Sequence, residues 1–213
     1  MKYVIFDTET TDLKGEVIQL SYMLVDSRFN VLDFDSFYCD TNSKIAQGAF
    51  NVHGINNELL EVLSGGKFLE DYLLSDTKRR SLFIDGTGLV FIGYNVKYDI
   101  ERLNQSLLTT GKCLTSMFDT NHLSGLNEAF SYSFDLMKAT RDYLRTPRFV
   151  KLCQAVDLVV KRKFPDLDID TLYEIHKEKF NLKSRGSNFH DASYDVFCTY
   201  MLLLALNCQG TGN

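Results

Sequence analysis

The stretch "YVIFDTETTDL", residues 3–13, opens as a buried strand and closes on acids. Tyr3, Val4, Ile5 and Phe6 are the aromatic, β-branched and aliphatic types that pack on a pleated surface. Asp7 and Glu9 follow, two positions apart with Thr8 between them. Side chains two apart on a strand share a face, so both carboxylates project one way and Thr8 the other. Like charges at this spacing repel, and burying an ionised carboxylate costs several kcal/mol unless it is paired. Two arrangements accommodate the pair: a strand end where both acids are solvated, or a site that holds a cation between them. The flanking Lys2 and Lys14 are the nearest cations in sequence, whereas a divalent ion would supply both charges, and oxygen-only ligands suit Mg²⁺ or Mn²⁺.

Outward from this strand, "EVIQLSYMLVD" (16–26) and "NVLDFDSFYCD" (30–40) read as two further strands, the second with Val31, Asp33 and Asp35 alternating against Leu32, Phe34 and Ser36. Three strands in a row without an intervening helix imply antiparallel hairpins. "GTGLVFIGYNV" (86–96) is an apolar and therefore interior strand, "YDIERLNQSLLTTG" (98–111) a helix, and "CLTSMFDTNHL" (113–123) a strand ending in a turn. Helical periodicity then takes over. "RFVKLCQAVDLVVKRKF" (148–164) puts Phe149, Leu152, Cys153, Val156, Val159 and Val160 on one face, and "DIDTLYEIHKEKF" (168–180) and "HDASYDVFCTYMLLLAL" (190–206) follow as helices. The fold class is α/β, a mixed central sheet flanked by helices. One domain over residues 1–206 and a loose tail at 207–213 account for the 213 residues, 45% of them hydrophobic.

The longest apolar run, Met201–Leu206, is far too short to span a bilayer, and the N-terminus turns acidic too early for a signal peptide. Five cysteines without a CxxC pair read as reduced thiols. A cytoplasmic protein without a membrane partner is expected. The net charge of -5 is unevenly spread: residues 138–185 hold 12 Lys and Arg against 7 Asp and Glu, leaving 11 against 21 elsewhere. Such a basic region is either a set of solvated helix faces or a track for a polyanion.

Two later stretches place acids in comparable settings. In "FIGYNVKYDIERL" (91–103) Asp99 lies near a helix start, where the helix dipole alone would accommodate it. In "NFHDASYDVFCTYMLLL" (188–204) His190 precedes an apolar helix and Asp195 lies in its first turns. Taken together and in order, "FDTETTDL", "GYNVKYDIERL" and "HDASYD" resemble the three motifs of the DEDDh 3′–5′ exonucleases, the DnaQ-like family of the ribonuclease H-like fold. "AFNVHGIN" (49–56) and "FDTNHL" around Asp119 are weaker echoes of the same family, and the resemblance covers roughly residues 3–206. The chain departs from the pattern at Asp12, where Gly is usual and the permissive residue for a tight turn, and at Tyr94 and Tyr98, where His and Phe are common.

The resemblance implies a ribonuclease H-like fold and a metal-dependent exonuclease acting on the 3′ end of nucleic acid, single-stranded DNA favoured, with short RNA or a polymerase-associated proofreading role as alternatives. It implies that Asp7, Glu9, Asp99 and Asp195 bind two divalent ions, Mg²⁺ or Mn²⁺, astride the scissile phosphate. His190, on the loop before the last helix, would accept the proton of the attacking water. Thr8, Thr10, Leu13, His53 and Asn95 fall at positions expected to border the terminal nucleotide, with ordinary packing the alternative for Leu13 and a loop-structural role for His53. His122 and His176 carry no motif. Arg141, Arg145, Arg148 and Lys151 are expected to follow the substrate backbone. A free-standing enzyme is expected over a polymerase subunit, and protein partners are left open.

Overall fold

Strand β1 (Lys2–Thr10) pairs antiparallel with β2 (Val17–Asp26), which pairs antiparallel with β3 (Val31–Tyr38). The computed structural model describes residues 1–84, 88–109 and 133–207. Between Gln47 and Phe83 the chain forms four short helices: α1 (Gln47–His53), α2 (Asn57–Ser64), α3 (Leu69–Ser75) and α4 (Thr77–Phe83). Strand β4 (Leu89–Gly93) then runs parallel to β1, followed by α5 (Val96–Thr109), β5 (Ser133–Asp135) and α6 (Leu136–Tyr143). Helix α7 starts at Leu152–Ala155, passes through a π-helical turn at Val156–Val160 and ends at Lys161–Lys163. Helices α8 (Ile169–Phe180) and α9 (Ala192–Asn207) complete the chain. Among the described residues the sheet has five strands in the order β3-β2-β1-β4-β5, antiparallel in its first three, as the sequence predicts.

The two faces of β1 sort into two cores, because alternate residues point to opposite sides of the sheet. Ile5, Met23, Val25, Phe34 and Ile92 meet Val196, Phe197, Leu202 and other residues of α9. Val4, Phe6, Leu20, Tyr22 and Phe91 meet α3, α4 and α5 through Leu69, Leu73, Phe83, Val96 and Leu103. Helix α9 is buried on all sides over Ala192–Thr199 and has no polar stripe, the pattern of a helix enclosed by its own domain. Each fully buried Val, Leu or Phe there contributes about 1.5–3 kcal/mol. This burial fixes the first turn of α9 against the end of β1.

Two expectations need correction. Phe149 does not join the apolar face of a helix from residue 148. Helix α7 begins only at Leu152, and Phe149 is 65% exposed. Val150 is pulled into the core, with its carbonyl accepting from Tyr94 Oη at 2.5 Å, and the chain there is extended, so the preceding ring is left outside. The turn after β1 also does not depend on a glycine at position 12, since Asp12 is not among the left-handed residues. Its carbonyl accepts from Gly15 N at 2.8 Å and its carboxylate from Leu13 N at 2.6 Å. Gly15 is the residue that closes the turn: a Cβ there would run into Thr11 Oγ1 and, at 2.5 Å, the Asp12 backbone nitrogen. The expected strand at 113–123, Asp119 and His122 lie outside the described residues, as does the tail beyond residue 207.

Forcing a methyl group against backbone costs about 1–3 kcal/mol. Gly15→Ala should therefore lower the Tm in a thermal melt by several degrees, roughly 2–4 °C per kcal/mol at this chain length. An unchanged Tm would show that the turn relaxes freely.

Candidate metal centre at the end of β1

Asp7 and Glu9 lie on the β1 face that packs against α9, and the first turn of α9 brings Asp195 to them. Glu9 and Asp195 are buried and Asp7 is partly exposed. One ligand atom each from Glu9, His190 and Asp195 lie within 4.8 Å of one another. From the opposite face, α5 delivers Asp99, buried at its first turn. Thr8, which points that way, donates to Asp99 Oδ1 from its backbone nitrogen (3.2 Å) and its hydroxyl (2.7 Å). The two faces of one strand thus carry the pair and a clamp for the third acid.

Burial pushes all four carboxyls above the ordinary carboxylate range. For Asp7 the next contributions are the charges of Asp99, Asp195 and Glu9, and for Glu9 those of Asp195, Asp191 and Asp99. Asp99 is raised to about 7 despite the opposing Thr8 hydrogen bonds, and Asp195 to about 8 despite the His190 N–H that bonds it. Arg185 is the cation that relieves Glu9, and it does not offset the burial. Asp195 Oδ2 accepts from His190 N at 3.1 Å, whereas its buried Oδ1 has no hydrogen-bond partner. An orphaned carboxylate oxygen among acids that oppose each other's ionisation, with an imidazole nitrogen at hand, fits a divalent cation.

His190 stands on the loop entering α9, exposed, with its backbone in the left-handed region at φ 67°. Partial desolvation of the ring first, and then the Lys151 charge, pull its pKa below the usual value, which favours the neutral imidazole. The loop is held by Asp191, a residue whose role the motif reading did not register. Its buried carboxylate accepts from Gln19 Nε2 (3.1 Å), Arg185 N (2.8 Å), Ser193 N (3.1 Å), Ser193 Oγ (2.6 Å) and Tyr38 Oη (3.4 Å). Gln19 Oε1 in turn accepts from Ala192 N at 3.2 Å, and Arg185 Nη2 donates to the His190 carbonyl at 3.2 Å. Gln19, with Ser21 one of two buried polar residues in a largely apolar β2, was the one hint of this in sequence.

The remaining expected positions divide. Thr10 is buried, its hydroxyl bonded to the Asp12 carbonyl (2.8 Å) and to Tyr98 Oη (3.0 Å). Leu13 is 79% exposed on the turn, and Asn95 is exposed at the β4–α5 junction with φ 71°. His53 is buried: Nδ1 accepts from Ile55 N at 3.0 Å, so Nε2 carries the proton and donates to the Thr10 carbonyl at 3.2 Å. Burial lowers its pKa to about 4. Both ring nitrogens are thus engaged within the fold. His176 Nδ1 bonds the Leu172 carbonyl at 2.8 Å within α8. Arg141 is engaged with the Pro147 carbonyl at 2.8 Å, whereas Arg145, Arg148 and Lys151 are exposed.

Carboxyls raised in the folded state contribute stability below the unfolded pKa of about 4 and lose it as pH rises through the raised values, here up to about 8 for Asp195. In EDTA the Tm of the wild type should therefore fall relative to that of Asp195→Asn as pH rises from about 5 to 8. Mg²⁺ should reverse the order by stabilising the wild type more. Parallel melting curves in both conditions would contradict the raised pKa of Asp195.

No protein-family model matches the chain. It is 31% identical over 113 residues to the PolC-type DNA polymerase III of Pediococcus pentosaceus, a match over 52% of this chain and 7% of that protein. The zinc-bound form of Escherichia coli exonuclease I with single-stranded DNA superposes with a TM-score of 0.63 at 20% identity, over 98% of this chain and 40% of that one. Exonuclease X in complex with 5′-overhanging duplex DNA superposes with a TM-score of 0.55 at 16% identity, over 99% of this chain and 94% of that one. The chain therefore spans well under half of the polymerase and of exonuclease I, and nearly all of exonuclease X. It has the fold of these exonucleases, with the mixed sheet and antiparallel first strands that its own sequence predicts.

Proposed function

We propose that the chain is a metal-dependent 3′–5′ exonuclease that hydrolyses phosphodiester bonds one nucleotide at a time from the 3′ end of single-stranded DNA. The observation that carries this reading is the convergence of the Glu9, His190 and Asp195 donor atoms at the end of β1, where Asp7 and Asp99 add two more acids. The fold shared with two exonucleases whose structures were solved in complex with DNA supports it.

Asp7, Glu9, Asp99 and Asp195 would hold two divalent ions, Mg²⁺ or Mn²⁺. Bound there, these would neutralise the carboxylates and supply Lewis-acid stabilisation of the charge that develops on the phosphate. The neutral imidazole of His190 takes a proton from the attacking water as its oxygen bonds to phosphorus and the bond to the 3′ oxygen of the preceding nucleotide breaks, releasing a 5′-mononucleotide. Asp195, through the His190 backbone N–H, couples the loop to the carboxylate cluster. Thr8 keeps Asp99 oriented across the strand. A proofreading role beside a polymerase is favoured as the second reading by the likeness to the PolC-type polymerase.

With 5′-labelled single-stranded DNA and Mg²⁺, the wild type should give a ladder that shortens from the 3′ end, and Asp7→Ala should give none. His190→Ala should lower kcat by about 10²–10⁴, the usual cost of removing a general base, with DNA affinity in Ca²⁺ retained and the acidic limb of the pH–rate profile weakened. Full kcat with the wild-type pH profile would remove His190 from the proton transfer. Preferential removal of a mispaired primer end would favour the proofreading reading.

A further inference from the structure

The loop between α6 and α7, residues 144–151, carries features that the carboxylate centre does not use. Phe149 is 65% exposed, and Arg145, Arg148 and Lys151 are exposed around it. A single exposed ring is ordinary on a protein surface. This one differs in how it is held and in what it borders.

The loop is braced from within. Arg141 Nη2 donates to the Pro147 carbonyl at 2.8 Å, Thr146 N to the Arg141 carbonyl at 3.0 Å, and Arg148 N to Thr146 Oγ1 at 3.2 Å. Lys151 N donates to Gln154 Oε1 at 3.0 Å, which starts α7 immediately afterwards. Arg145 sits in the left-handed region at φ 51°, so the turn is a formed one. Val150, next to Phe149, is buried in the core and its carbonyl takes the Tyr94 hydroxyl. The ring is therefore held out by a fixed backbone.

Its anchor ties the loop to the elements that carry the acids. Val150 belongs to the buried cluster that also holds Ile92 of β4 and Tyr194 and Val196 of α9, and Tyr94, which follows β4 directly and donates to the Val150 carbonyl, packs against that cluster. The loop is thus anchored between the end of β4, which leads into α5 and Asp99, and the first turns of α9, which carry Asp195. It lies in the net-positive part of an otherwise acidic chain.

An aromatic platform among cations is what a single strand of nucleic acid requires, because every base offers a π-face while its phosphates follow the positive charges. We propose that Phe149 stacks on a base upstream of the terminal nucleotide of a single-stranded oligonucleotide, with Arg148 and Lys151 taking the adjoining phosphates. The subsite deepens, and rests on, the proposed exonuclease reading. It makes the loop a length sensor: a dinucleotide fills the carboxylate centre alone, whereas a longer strand also reaches Phe149.

The test uses a long oligothymidylate and the dinucleotide as substrates in Mg²⁺, and anisotropy of the fluorescein-labelled long strand in Ca²⁺. Phe149→Ala should cut the KM advantage of the long strand over the dinucleotide by about tenfold, the order expected for loss of one stacked base, and weaken its Ca²⁺-supported binding similarly. Phe149→Trp should restore both, whereas Phe149→Leu should not. Neutralising Arg148 and Lys151 should flatten the salt dependence of long-strand binding. If Phe149→Ala cleaves and binds the long strand as the wild type does, or if Leu restores as well as Trp, the subsite is overturned while the exonuclease reading stands. If the wild type neither binds nor cleaves either substrate, both fall together.

Discussion

The burial of mutually repelling carboxyl groups at the end of β1 is the constraint on which the rest of the molecule turns. The strand must be apolar through Phe6 to join two cores, and it must then present Asp7 and Glu9 to the face where α9 brings Asp195. Solvent cannot relieve these charges well, because Glu9, Asp99 and Asp195 are buried. In low dielectric the acids either hold protons or share a cation. The irregularity in the β1–β2 pairing falls between Glu9 and Thr10, directly beyond the pair, where a bulge ends the regular ladder and turns the chain away. The centre is thus written into the strand's own geometry.

Unfavourable electrostatics of this size persist only when the surroundings are rigid. Two devices supply that rigidity. The apolar burial of α9 on all sides fixes Asp195, and the Asp191–Gln19 hydrogen bonds tie the histidine loop to β2, across 172 residues of sequence. The left-handed backbone of His190 is strained for a residue with a Cβ, and the hydrogen bonds of Asp191, Arg185 and Asp195 hold it there. A side chain mounted on such a loop keeps its bearing toward Glu9 and Asp195 without being buried itself.

Much of this was legible in the chain. Asp7 and Glu9 stood out because period-two spacing puts them on one face. The antiparallel opening followed from three strand-like stretches with no helix between them, and the α9 placement from its uninterrupted apolar run. The supporting shell was not legible, because its partners are adjacent only in space. Gln19 looks like one of the few polar residues in a mostly apolar strand, and Asp191 like a neighbour of the histidine. Four short helices between residues 47 and 83 have too few turns to impose a clear period. Phe149 fits a helical face in sequence, and it is the anchoring of Val150 to Tyr94 that turns it outward. Asp12 marks the turn after β1 as irregular, yet Gly15, three residues on, is where the backbone closes.

The central claim is that burial, reinforced at Asp7, Glu9 and Asp195 by neighbouring carboxylates, opposes the ionisation of the four acids until a divalent cation joins them. Because ligands must lose their protons to bind metal, binding should expel them. Calorimetric titration of Mn²⁺ at about pH 7, repeated in buffers of different ionisation enthalpy, counts those protons directly. The account predicts net proton release on binding, shrinking as pH rises past the raised pKa of Asp195 near 8. Binding with no proton release at neutral pH, or no binding at all, would contradict it.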